Sequence, residues 1–105
     1  MTVTIFENQT SDSLSTWNVI ISEGYINLYV VGDLGGGTLT IEALAPDGFS
    51  VVPVDGGAVT AAGMFLLEAA SFAGRATLSG ATAPDVSVYI EVENVELRKA
   101  VWGRV

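Results

Sequence analysis

The chain of 105 residues contains no cysteine and no histidine. Without cysteine there is no disulfide framework and no thiolate metal site. Without histidine the commonest general base and metal ligand is missing, so neither a Ser-His-Asp nor a Cys-His site can be assembled within one chain. Basic charge is scarce as well. Four Lys and Arg stand against twelve Asp and Glu, a formal net charge of −8. A body of that sign is repelled by nucleic acid, whose binding depends on cations at phosphates. Long apolar runs are absent too, and none approaches the roughly 18 residues of a membrane helix. Met-Thr-Val-Thr-Ile-Phe-Glu at the start lacks the basic region and apolar core of a signal peptide and reads as a strand.

Apolar content, by contrast, is plentiful. Half of the residues are hydrophobic and the mean hydropathy is +0.49. A domain this small has much surface to cover relative to its volume. The surplus points to apolar surface that meets another protein or further copies of the chain.

Alternation with a period of two dominates the pattern. Residues 38–54 form the centre of the reading, as two strands joined by Pro46-Asp47-Gly48. Proline presets φ there, aspartate bonds its own backbone, and glycine takes a positive φ. Phe49 opens the return strand in this reading. Before it, residues 2–7 make a strand with Val3 and Ile5 on one face and Phe6 on the other. Residues 14–22 place Trp17, Val19 and Ile21 opposite Asn18, Ile20 and Ser22. Residues 24–32 place Ile26, Leu28 and Val30 opposite Tyr25, Asn27 and Tyr29, and Ser-Glu-Gly at 22–24 is the expected hairpin turn between these two segments. After the centre come a turn at 55–57, a short strand at 58–60, a strand at 64–70, a turn at 72–74 and a strand at 75–79. The cleanest alternation follows at 85–93, with Val86, Val88, Ile90 and Val92 on one side. Turn signals recur every eight to fourteen residues or so and no helical period survives, which predicts an all-β fold, an antiparallel β-sandwich or jelly roll of about eight strands.

The parity slips by one residue near Asn94, because Val95 and Leu97 follow Val92. A one-residue slip exchanges the two faces. Either a bulge sits there or the sheet ends and a tail begins. The charge also changes sign: the first 97 residues carry −11 and the last eight carry +3. The expected division is therefore a β-domain over 1–94 and a basic tail or last strand over 95–105. Within the tail, Trp102 lies between Arg98-Lys99 and Arg104, and Val101 precedes it. Tryptophan and arginine are favoured binding anchors, so Arg98, Lys99, Val101, Trp102 and Arg104 are the expected partner-docking residues.

Chemistry-bearing motifs are weaker. Gly35-Gly36-Gly37 lacks the spacing of a phosphate loop and reads as a turn. Asp33, Asp47 and Asp55 lack the alternate spacing of calcium ligands and read as turn residues. Glu91 and Glu93 sit about 7 Å apart along one strand face, a separation that suits glycoside hydrolysis. Nothing around them in sequence supplies the desolvated pocket that raises a carboxyl pKa. Tyr25, Asn27 and Tyr29 on one face suit either a sugar-stacking platform or a subunit interface. No catalytic residue, metal ligand or cofactor site is expected.

Several short motifs carry a resemblance: Gly-Gly-Thr-Leu-Thr-Ile-Glu (36–42), Ala-Pro-Asp-Gly (45–48), Val-Pro-Val-Asp-Gly-Gly (52–57), Val-Thr-Ala-Ala-Gly (59–63), Arg-Ala-Thr-Leu-Ser-Gly-Ala (75–81) and Val-Ser-Val-Tyr-Ile (86–90). Over about two thirds of the chain the sequence resembles short phage-encoded β-sandwich virion proteins of the capsid decoration or cement kind. The resemblance implies a structural role on the capsid or tail of a virion, and the leading expectation is a decoration or cement protein on the capsid surface that binds between major capsid proteins. The apolar surplus adds the expectation of a homo-oligomer such as a trimer, and the acidic charge and the lack of a membrane-length run that of no nucleic-acid or membrane partner. The alternative expectation is a carbohydrate- or receptor-binding module of a tail or head fibre.

Overall fold

The computed structural model describes residues 2–92, apart from the side chain of Glu23. Those residues form seven strands and no helix. They are β1 (Thr2–Gln9), β2 (Ser13–Leu14), β3 (Asn18–Asp33), β4 (Thr38–Leu44), β5 (Val51–Val59), β6 (Gly63–Ser79) and β7 (Asp85–Val92). All pairings are antiparallel. The order across the sheet is β1-β7-β3-β6-β4-β5, with β2 also on β6.

β6 organises the sheet. Its first half pairs with β3, from Val30↔Gly63 to Glu23↔Ala70. Its second half pairs with β4, from Ala43↔Gly74 to Thr38↔Ser79. One long strand thus belongs to two halves of a continuous sheet, and the sheet curls so that both halves bury one core. The inward parity changes along the way. Leu67 is buried in the first half, whereas Gly74, Ala76 and Leu78 are buried in the second. A register break between Ile20 and Glu23 on β3 faces this change, with one more residue on β3 than on β6, the signature of a bulge.

The core draws on almost every strand: Ile5 and Phe6 from β1, Ile20, Ile26, Leu28 and Val30 from β3, Leu39 and Ile41 from β4, Val59 from β5, Leu67, Ala76 and Leu78 from β6, and Val86, Val88 and Ile90 from β7. The alternation of 24–32 and of 85–92 therefore pointed to the correct inner faces. Two adjacent residues of β1, Ile5 and Phe6, both turn inward because the register with β7 breaks between Thr4 and Phe6.

Three expected turns lie inside strands, which corrects the expected boundaries and explains why the described residues hold seven strands. The hairpin expected at 22–24 does not form. Gly24 adopts φ +132 and the bulge absorbs the irregularity, while Ser22 donates its hydroxyl to the Ala69 carbonyl (2.7 Å) and its N–H to the Ser71 hydroxyl (2.8 Å). Those bonds stitch β3 to β6 where the ladder is interrupted. The turn expected at 72–74 is likewise continuous strand, held by β3 on one side and reached by β4 on the other. Residues 54–57 are an excursion within β5, opposite Ile41, since the pairing passes from Glu42↔Pro53 to Thr40↔Ala58.

Candidate functional site

The outer surface of β3 gathers the residues of interest. From Asn18 onward its inward positions are Ile20, Ile26, Leu28 and Val30. The opposite positions include Val19, Ile21, Tyr25, Asn27, Tyr29 and Val31, with Trp17 just before the strand. Val19, Ile21 and Val31 are 71%, 58% and 55% exposed. On β6, opposite Tyr29 and Asn27, Met64 and Leu66 are 64% and 60% exposed. Apolar side chains exposed along two adjacent strands form the kind of extended patch that monomeric proteins rarely leave uncovered.

The register adds β7 to this face. Tyr29 lies opposite Tyr89 on β7 and opposite Met64 on β6. Asn27 lies opposite Glu91 and Leu66, and Tyr25 lies opposite Glu68. Directly opposed residues have Cβ atoms about 4.5–5.5 Å apart, so one outer surface carries all three tyrosines of the chain. The sequence placed Tyr25, Asn27 and Tyr29 together, and the structure brings Tyr89 and Glu91 to them. Glu91 accepts a hydrogen bond from the Thr2 hydroxyl, which holds its carboxyl below the usual range. That is the opposite direction from a general acid. Its expected companion Glu93 lies outside the described residues.

Further along the outer surface, the Arg75 guanidinium lies 4.7 Å from the centre of the Trp17 ring. Arg75 Nε also donates to Glu42 Oε1 at 3.1 Å, and the Thr77 hydroxyl donates to the same oxygen. The Thr77 hydrogen bond, more than Arg75, holds the Glu42 carboxyl below its ordinary value, against the opposing effect of burial. Each of these groups is engaged with the others, and the cluster anchors Trp17 at the margin of the apolar stripe.

A second feature is the tip of the β4–β5 hairpin. Asp47 Oδ1 accepts the N–H groups of Phe49 and Ser50, both at 2.8 Å, and Oδ2 accepts the Ser50 hydroxyl at 2.6 Å. These bonds, the Ser50 hydroxyl first, pull the Asp47 carboxyl down to about 2. The backbone closes the same loop, with Ala45 N donating to Ser50 O and Gly48 N to Ala45 O. The turn therefore extends through Ser50, and Phe49 does not join the return strand, as expected, but stands 87% exposed at the tip. Asp33 plays a simpler turn role, accepting Gly35 N at 2.8 Å.

The sequence missed the exposure of Phe49. The signal was present in Asp47, whose side chain bonds two residues ahead and lengthens the turn. It also left open which face of 14–22 points outward. Residues Arg98, Lys99, Val101, Trp102 and Arg104, expected to dock a partner, lie outside the described residues. Comparison with protein-family models, with curated proteins and with solved structures finds no match.

Proposed function

We propose that the chain is an assembly protein that works by adhesion rather than catalysis, and that its setting is the outer surface of a phage capsid, where it decorates and cements the shell. One observation carries the adhesive reading: the stripe of exposed apolar side chains along β3 and β6, from Val19 to Val31 and over Met64 and Leu66. The virion setting rests on the sequence resemblance. In this proposal the stripe packs against major capsid proteins, and each contact adds about 25 cal/mol per Å² of apolar area buried. A rigid sheet loses little conformational freedom on binding, so little of that gain is offset. Repetition around a shell multiplies a modest contact. The basic tail with Trp102 supplies a second contact to an acidic neighbour surface, and the acidic body stays off the packaged nucleic acid.

Co-sedimentation with purified capsid shells tests this. The expected result is recovery with the shells at a fixed ratio of copies per capsid protein. A chain that stays in the supernatant at micromolar concentration overturns the capsid reading. The second reading is a glycan-binding module, favoured by Tyr25, Tyr29 and Tyr89 with Asn27 on one face. Glycan-array binding that Tyr29→Ala and Tyr89→Ala abolish would establish it instead.

A further inference from the structure

Sheets whose edges stay open are normally blunted by bulges, proline or charge, because an unpaired edge is a template for another strand. Four long stretches of edge lack a strand partner among the described residues, one of them the side of β3 over 18–25 beyond the end of β7, which the register break between Ile20 and Glu23 blunts. The other three are the outer edges of β1 and β5 and the edge of β6 over 63–70. β1 is blunted by two register breaks, between Thr4 and Phe6 and between Phe6 and Gln9. β5 is blunted by Pro53 and the 54–57 excursion. The β6 stretch has neither bulge nor proline, and its one charge is Glu68. Its register with β3 runs unbroken from Ala70 to Gly63. Its sequence, Gly-Met-Phe-Leu-Leu-Glu-Ala-Ala, holds no proline, no lysine or arginine and a single acid.

We infer that this edge pairs with the same edge of a second copy, antiparallel about a two-fold axis at Leu66. The inference rests on the adhesive reading and specifies one partner for it. Face and charge choose the arrangement. A two-fold axis normal to the sheet keeps the outer residues Met64, Leu66 and Glu68 on one surface and the inner residues Phe65, Leu67 and Ala69 on the other. Centred on Leu66, the pairing sets Leu66 against its counterpart, Phe65 against Leu67, and Gly63 against Ala69. Large residues then meet large ones and small meets small. The two Glu68 carboxylates end four residues apart along the ladder, about 13 Å, with each beside the other copy's Met64. A parallel pairing in register would instead hold them about 4.8 Å apart, which like charges oppose. The joined sheet would merge the two exposed Met64–Leu66 patches into one surface.

The chain's lack of cysteine provides a clean background for the test. Sedimentation equilibrium of the full chain should give twice the 10.9 kDa chain mass. Leu66→Lys should give a monomer with an unchanged far-UV spectrum, its dimer dissociation constant raised on the order of 100-fold or more, since both copies carry the charge at the centre. Leu66→Cys should oxidise to a disulfide-linked dimer, because directly opposed residues have Cα atoms about 4.5–5.5 Å apart, within disulfide reach. Met64→Cys should not cross-link. A wild-type monomer, as when residues 93–105 or an unrelated protein covers this edge, overturns the inference. So does a wild-type trimer, an association that Leu66→Lys leaves intact, or equal cross-linking by the two cysteine variants. Shell binding is a separate measurement, so the pair and the capsid reading can fail independently.

Discussion

Leu28 and Val31 sit three residues apart on β3 and answer substitution differently. Leu28 is fully buried and Val31 is more than half exposed. Leu28→Ala should lower the unfolding free energy by about 2–5 kcal/mol through lost burial and a residual cavity. Val31→Ser should change it by less than about 0.5 kcal/mol, with urea denaturation as the readout for both. Asp47 offers a pH test. Its carboxyl lies at about 2 in the folded chain against an ordinary 3.8. The ionised form is therefore the one that the folded loop favours. Its contribution is present above the ordinary carboxylate range and is lost as pH falls toward 2. An NMR titration of Asp47 should show a midpoint near 2, and a midpoint at or above 3.8 would refute the loop geometry. Asp47→Ala should speed amide exchange at Phe49 and Ser50. At this scale the sequence was most legible where alternation was strict, as at Ile26, Leu28 and Val30 or Val86, Val88 and Ile90. It failed at Ile5 and Phe6, where a register break turns two neighbours inward, and at Phe49, where one carboxylate lengthens a turn.

The strands themselves were legible in kind and less so in extent. Gly24, Gly56-Gly57 and Gly74 are turn residues by composition, yet each lies within a strand. Local turn chemistry lost to tertiary pairing there, because β3 and β6 each find a partner on both sides of the interruption. Glycine has a different task at position 32. Gly32 adopts φ +106, and a Cβ would stand 2.1 Å from the Asp85 carbonyl oxygen of the neighbouring strand. Gly48, at φ +80, has open space around it. Gly32→Ala should therefore cost more than about 2 kcal/mol, and Gly48→Ala about 1 to 2 kcal/mol from backbone strain alone. Equal losses in thermal unfolding would show that the close approach of β3 to β7 is not a constraint.

At the scale of the whole fold, the sequence foresaw an antiparallel β-domain, and the described residues hold strands and no helix. It did not foresee that one long strand would carry the sheet from one half to the other, since that depends on pairings between residues far apart in the chain. Nor did it show that the apolar surplus collects on the outside of β3 and β6, because alternation identifies two faces without saying which is inner when both are apolar, as in Trp17-Val19-Ile21 against Ile20. The proposed tail contact gives its own expectation: Trp102→Ala should weaken shell binding by on the order of 2 kcal/mol, whereas Lys99→Ala, as a single cation, should cost less than about 1 kcal/mol. The most direct test of adhesion through the outer stripe is co-sedimentation of purified shells with wild type and with the double variant Val19→Lys, Ile21→Lys. Both positions are exposed, so the variant should keep its fold by circular dichroism. Wild type should pellet at a fixed ratio, and the folded variant should remain in solution. A variant that decorates the shells as fully as wild type would contradict adhesion through the stripe.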